Sequence, residues 1–243
     1  MVPAMIDMTV STRERIIRAA TDLLATGGRE AVSTRAVSAA AGVQPPTIYR
    51  QFGDMQGLLD AVASRGFSGY IESKITRVRA DDPVEDLRAG WDLHIAFGLA
   101  NPAIYGLMYG DPRSETRPSA ATDAADILHG LVQRVAESGR LRVSVDRAAA
   151  VIHATGVGVT LTQLAMPPED RDSAVSEYTR EAVLAAITTD AASAMAPERP
   201  DASRVANRAV ALKAVLPEQT GALSSGERTL LAEWLDRLSQ PAG

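Results

Sequence analysis

Four polar side chains of different chemistry cluster between residues 44 and 50 of this 243-residue chain. They are Gln44, Thr47, Tyr49 and Arg50. Their amide, hydroxyl and guanidinium groups are suited to phosphate oxygens and to the edges of bases. Ile48 and Phe52 are spaced to lie on the buried side of the same helix. An ordinary helical hairpin with a solvated face would have the same pattern, so both interpretations stay open on this segment alone.

The segment from Ser33 to Phe52 has the pattern of two short helices joined by a tight turn. Ser33 can cap the first helix, and Gly42 can adopt the positive φ that ends it. Pro45 and Pro46 fall in the first turn of the next helix, where a missing N–H costs little. This is the order of a helix-turn-helix, so DNA is the first candidate partner.

The flanking sequence supplies two further helices. Ser11 and Glu14 form a capping box for a first helix, which we expect to stop at Gly27-Gly28. The pair Gly53-Asp54 provides a break and a cap for a longer fourth helix, from about Asp54 to Arg79. The sequence therefore predicts three helices before residue 53.

These motifs together carry a family resemblance. In order they are Arg-x-x-Ile-x-x-Ala-Ala-x-x-Leu, Thr-x-Ala-Val-Ser-x-x-Ala-Gly-Val and Thr-Ile-Tyr-Arg-x-Phe-Gly-Asp. The stretch from Thr12 to about Val62 resembles the DNA-binding domain of the TetR/AcrR family of transcriptional regulators. The resemblance implies an all-α fold with a small N-terminal reading domain and a larger helical domain for ligand binding and dimerisation. We expect a disordered N-terminus (1–10), the helix-turn-helix domain (11–53), the larger domain (54–195) and a linker with extra C-terminal helices (196–243).

The resemblance also implies which residues contact an operator. They are Thr34, Arg35, Gln44, Thr47, Tyr49 and Arg50, with Tyr49 on a phosphate. Two positions depart from the family pattern. Met55 stands where a lysine commonly touches phosphate, and Pro45 occupies a place where many relatives carry a base-reading side chain. We therefore expect fewer direct base contacts than in those relatives.

Charge and composition favour a DNA regulator over an enzyme. Residues 1–80 have a net charge of +3 and the remainder −8, so an acidic chain has a basic end. There is no cysteine, the three histidines lack metal-ligand spacing, and no serine stands in a Gly-x-Ser-x-Gly elbow. We expect no catalytic site, no metal and no cofactor. The first ten residues lack the features of a signal peptide, so we expect a cytoplasmic protein.

Two long uncharged runs, 93–110 and 148–168, are close to the length of a membrane span. Asn101-Pro102 breaks the first, and polar groups with Pro167-Pro168 interrupt the second, so burial in protein is expected instead of a membrane contact. Residues 148–166 and 170–188 are predicted helices. The resemblance implies that they pair with their symmetry mates in a homodimer, and the alternative is that they fill the core of one subunit. The predicted interface residues are Val151, Thr155, Val159, Thr162, Tyr178, Ala182 and Ala185.

The segment from Val84 to Gly110 holds four of the ten Phe, Trp and Tyr residues of the chain. An apolar wall with a few polar groups is typical of a small-molecule site, although plain core packing would place aromatic residues in the same way. The candidate effector-binding residues are Trp91, His94, Phe97, Tyr105, Met108 and Tyr109. The sequence thus favours a homodimeric repressor that a largely apolar small molecule releases from double-stranded DNA. The alternative is a helical protein-binding adaptor that has lost DNA binding.

Overall fold

The computed structural model describes residues 11–76, 78–110, 119–189, 202–216 and 223–239. The described residues form eleven α-helices and one short 3-10 helix, Pro168–Asp170, and the β-type pairing among them is an isolated bridge between Leu141 and Thr188. The α-helices are α1 Thr12–Ala31, α2 Thr34–Ala41, α3 Pro45–Phe52, α4 Met55–Thr76, α5 Pro83–Ala100, α6 Pro102–Tyr109, α7 Ser119–Glu137, α8 Val145–Leu164, α9 Ser173–Ile187, α10 Ala202–Val215 and α11 Ser225–Ser239. The expected all-α fold is confirmed.

The chain divides into two compact units. The first comprises residues 1–75 and 100–123, and the second comprises 76–99 and 124–243. The predicted boundary at residue 53 does not coincide with this division, because α4 and α6 group with the three N-terminal helices. Gly66 of α4 shows why: a Cβ there would lie 3.0 Å from the side chain of Ile104 in α6. Of the predicted segments, 1–10 and the linker 196–201 lie outside the described residues.

Local signals place the helices of the first unit. The Ser11 hydroxyl accepts a hydrogen bond from the Glu14 amide at 3.1 Å, as the capping box predicts. Gly28 has a φ of +65° and interrupts α1 where a stop was expected, although the helix then continues to Ala31. The Asp54 carboxylate accepts from the Gly57 amide at 2.7 Å and caps α4.

The second unit has its own apolar core and a dense set of polar contacts. Trp91, Val132, Leu141 and Ile152 are among the buried side chains of that core. No helix in the described ranges is long and apolar enough to cross a membrane. The predicted helix 170–188 begins at Ser173, where the Asp172 carboxylate accepts from the Ala174 amide, and residues 168–170 form the 3-10 turn instead.

A charge network fixes one side of α9 on α5. Arg88 donates to both carboxylate oxygens of Glu181, at 2.9–3.1 Å, and Arg180 pairs with Asp92 and Glu181. The hydrogen bond from Arg88 lowers the pKa of Glu181, and Arg180 acts in the same direction. The Trp91 ring N–H donates to the Ser176 hydroxyl at 3.0 Å on the same seam. The orientation of α9 is therefore set by several directional contacts in addition to apolar packing.

A second ion pair lies deeper, at the start of α5. Asp86 is 3% exposed, pairs with Arg134 of α7 and accepts the Ala80 amide at 2.9 Å. Arg134 also reaches the Ala80 carbonyl. This carboxylate thus joins α5, α7 and the loop before α5.

We expect Asp86→Ala to lower the free energy of unfolding by about 3 kcal/mol, because it leaves a partly buried guanidinium without its anion. Asp92→Ala removes an exposed carboxylate on the same helix and leaves its partner Arg180 paired with Glu181, so it should cost less than about 1 kcal/mol. Urea unfolding of both variants, followed by circular dichroism, measures the difference. Equal losses in the two variants would contradict the structural role assigned to Asp86.

Candidate nucleic-acid interface

The turn between α2 and α3 has the geometry that the sequence predicts. The Ser33 hydroxyl accepts from the Ala36 amide at 3.2 Å and opens α2. Gly42 has a φ of +63°, and the next amide, of Val43, donates to the Ser38 carbonyl at 3.0 Å. Gly42 therefore closes α2 in the left-handed conformation that favours glycine.

Apolar anchors decide which side of α3 faces outward. Ile48 of α3 and Val37 of α2 are fully buried. With Ile48 turned inward, the helical repeat turns Tyr49 and Arg50 outward, and both are exposed. The exposed fraction of Tyr49 is 48%, so its ring and hydroxyl are accessible to a partner.

The six predicted operator-contacting residues lie on these two helices and the turn. Arg35, Gln44, Tyr49 and Arg50 are exposed, and Thr34 and Thr47 are half-buried. Gln44 stands at the N-cap of α3, but its side chain makes no capping hydrogen bond. Its amide group is therefore not used to close the helix end. The structure brings the six residues into one unit, and their contact with DNA stays a prediction.

A contact between two of these residues was not evident from the sequence. The Thr34 and Tyr49 hydroxyl oxygens are 3.2 Å apart, which joins the first residue of α2 to the middle of α3. At this separation one hydroxyl can donate to the other, and the accepting hydroxyl keeps its own proton to donate to a phosphate oxygen. Fifteen positions separate the two residues, so helical periodicity alone gives no signal for the pair.

Arg13 is a further basic residue that sequence reasoning missed. Its guanidinium carbon lies 5.0 Å from the centre of the Phe52 ring, a cation–π contact that brings the start of α1 to the end of α3. Met55, which replaces the common lysine, is half-buried. Arg13 thus adds a positive charge beside α3 in a chain that lacks the usual lysine.

The two prolines change how α3 could hold an anion. Pro45 and Pro46 occupy its first two positions and have no N–H to offer. A helix N-terminus normally presents several such donors to phosphate. Any phosphate bound at this end of α3 would therefore depend on side chains more than on backbone amides.

Residues 16–62 match the family model described as bacterial regulatory proteins, tetR family. The helix-turn-helix segment of this chain therefore has the sequence pattern of the tetR family. The matched segment contains α2, α3 and the turn between them.

Relatives and solved structures agree with this assignment. The HTH-type transcriptional regulator AlkX of Mycobacterium tuberculosis is 28% identical over 167 residues, which are 67% of this chain and 79% of AlkX. A TetR-family transcriptional regulator from Streptomyces coelicolor is 25% identical with a TM-score of 0.54, over 72% of this chain and 96% of that one. RolR in complex with resorcinol has a TM-score of 0.58 at 21% identity, over 78% of this chain and 95% of RolR.

The six candidate effector-binding residues fall in different units. Trp91, His94 and Phe97 lie on α5 in the second unit, and Tyr105, Met108 and Tyr109 lie on α6 in the first. A Cβ on Gly156 of α8 would come within 3.8 Å of both Trp91 and His94. In the first unit, the rings of Tyr105 and Tyr109 lie 4.8 Å apart. Effector binding by these residues stays a prediction.

Arg50→Ala should weaken binding to a cognate operator about 5- to 150-fold, because a guanidinium contact to a base or phosphate is worth about 1–3 kcal/mol. Tyr49→Phe should weaken it about two- to tenfold through loss of one hydroxyl. Fluorescence anisotropy with labelled operator DNA measures both.

The matched control is Arg142→Ala, which removes an exposed arginine from the second unit. Circular dichroism establishes whether each variant is folded. If the Tyr49 and Arg50 variants bind the operator as tightly as the Arg142 variant does, the predicted role of α3 is overturned.

Proposed function

We propose that this protein is a homodimeric repressor of the TetR family that binds a roughly palindromic operator and is released by a largely apolar small molecule. The observation that carries the DNA-binding part is the exposed set of polar side chains on α2 and α3, held outward by the burial of Val37 and Ile48. The relative AlkX, described as a transcriptional regulator, supports the same class of function.

The proposed dimer interface lies on α8 and α9. The network with α5 holds one side of α9, and the opposite side leaves Val175 and Tyr178 exposed, with Tyr178 81% exposed. Ala182 and Ala185 continue this exposed side at helical spacing. An apolar surface of this kind on a single chain is typical of a protein–protein interface.

The predicted interface residues of α8 are less uniform in exposure. Val151 and Thr162 are exposed, while Thr155 and Val159 are half-buried, and Val159 packs against the core of its own subunit. Gly158 is exposed and nothing lies within 4 Å of where its Cβ would be. A small residue there leaves space for the close approach of a second helix, which favours an interface centred on Val151, Gly158 and Thr162.

The effector part of the proposal depends on α5, within the second unit. Its aromatic residues Trp91 and Phe97 supply apolar surface, and polar atoms on the same helix supply the orienting groups of a small-molecule site. RolR, which shares the fold, has been solved with resorcinol, so this fold accommodates a small aromatic ligand in at least one protein. In the proposed mechanism the effector moves α4, and this changes the separation of the two reading domains without separating the subunits.

The first test is binding of the purified protein to DNA from its own upstream intergenic region. We expect sequence-selective binding that weakens steeply with salt, because phosphate contacts release counterions. Gel retardation with a scrambled competitor, repeated at several salt concentrations, measures it. Failure to bind any duplex, in a folded protein, would contradict the proposal and favour the adaptor.

A second test addresses the dimer. Tyr178→Glu places a charge in the proposed interface and should shift the species in solution from twice the 25.7 kDa chain mass to the single chain. Analytical ultracentrifugation measures the mass. Gly130→Glu, on an exposed position of α7 with open space around it, is the control and should leave the mass unchanged. A Tyr178→Glu protein that stays dimeric would exclude this face as the interface.

A further inference from the structure

A groove with a volume of about 350 Å³ opens on the first unit, lined by α1, α4 and α6. Its apolar lining includes Leu24, Leu59, Ala63, Ala103 and Leu107. The volume is at the small end of the roughly 300–1,000 Å³ typical of small-molecule sites. The groove uses residues 102, 103, 106, 107 and 110, so it is separate from the aromatic residues of α6 considered above.

Gly106 indicates that the groove is an open space in the packing of α6. It lies inside the helix, where glycine costs about 0.5–1 kcal/mol relative to alanine. Nothing lies within 4 Å of where its Cβ would be, so no neighbour requires a glycine at this position. At Gly110, in contrast, a Cβ would be 2.6 Å from the Gly106 carbonyl oxygen. Close packing therefore accounts for the glycine at position 110. The absence of a side chain at 106 therefore leaves the groove accessible.

Two charged side chains of the groove, Asp60 and Arg29, differ in how far their hydrogen-bonding groups are already used. The Asp60 carboxylate already accepts a hydrogen bond from the Gln56 amide at 3.1 Å. Arg29 follows the break at Gly28, and its contact in the described residues is one long hydrogen bond, 3.5 Å, to the Val32 carbonyl. Most of its five N–H donors are left for another acceptor, and among the described residues it has no ion pair.

We propose that this groove binds a small carboxylic acid with an apolar body, whose carboxylate pairs with Arg29. The planar guanidinium matches a carboxylate in two parallel hydrogen bonds. The apolar body lies against the leucine and alanine side chains of α1, α4 and α6. Asp60 disfavours a second negative charge, so the class is a monoacid and not a diacid. The proposal does not rest on DNA binding, since no residue of α2 or α3 lines the groove.

Calorimetric titration of the full chain with 1-naphthoate tests the proposal. From the size of this probe we expect a dissociation constant of about 1 mM or tighter. Arg29→Gln should weaken binding about tenfold or more, because it removes a charge-assisted pair. Asp60→Asn should leave binding equal or make it tighter, because it removes the opposing charge.

Location in the groove is tested by Gly106→Leu, which fills the space and should abolish binding. Gly69→Leu is the control: this glycine is exposed on α4, has open space around it and does not line the groove. Thermal melting checks that both variants are folded. A third variant, Ala103→Phe, occupies the groove from another position if Gly106→Leu fails to fold.

Two further probes test the chemical class. Neutral 1-naphthamide should bind more weakly than the acid, and the 1-naphthylmethylammonium cation should not bind through Arg29. No binding of 1-naphthoate, equal binding by Gly106→Leu, or equal affinity for acid and amide would each overturn the proposal. Tighter binding of the ammonium probe, lost in Asp60→Asn, would assign the groove to a cation and contradict it too.

Discussion

The candidate DNA surface depends on the burial of two side chains. Ile48 and Val37 are fully buried, one from each helix of the helix-turn-helix. Their burial fixes the rotation of α3 about its own axis, since one inward residue determines which residues of an eight-residue helix point outward. Arg50 and Tyr49 are exposed for that reason. A helix this short has little stability of its own, so its orientation follows from packing and from the caps at its ends.

Elements with local signals were predictable from the sequence. Ser11, Ser33 and Asp54 cap helices where predicted, and Gly42 closes α2 with a positive φ. Capping and left-handed glycine depend on neighbours within four positions, so they are visible in a single sequence. The predicted start of α9 was wrong by three residues. Asp172 caps the helix, and residues 168–170 form a separate 3-10 turn that the pattern of polar residues does not distinguish from the start of a helix.

Long-range pairings were not predictable in the same way. The Thr34–Tyr49 hydroxyl contact, the ring contact of Arg13 with Phe52 and the Asp86–Arg134 ion pair join residues 15 to 48 positions apart. Their partners depend on how helices cross, and periodicity does not determine crossing. The same limit explains why the division into units was not predicted. Helix α6 groups with α1 and α4, and Ile104 of α6 packs where Gly66 leaves space, a contact that periodicity does not reveal.

The prolines of α3 connect local geometry to the chemistry of recognition. With Pro45 and Pro46 at its first two positions, the helix cannot offer backbone amides there to a phosphate. Side chains on neighbouring elements then have to supply the contacts, and the structure has three within the same unit: the paired hydroxyls of Thr34 and Tyr49, and the guanidinium of Arg13 over Phe52. Because these groups come from α1, α2 and α3, the predicted phosphate contacts would depend on the relative positions of all three helices. If those contacts form, a change in the packing of α1 against α2 would alter operator affinity without touching any residue of α3.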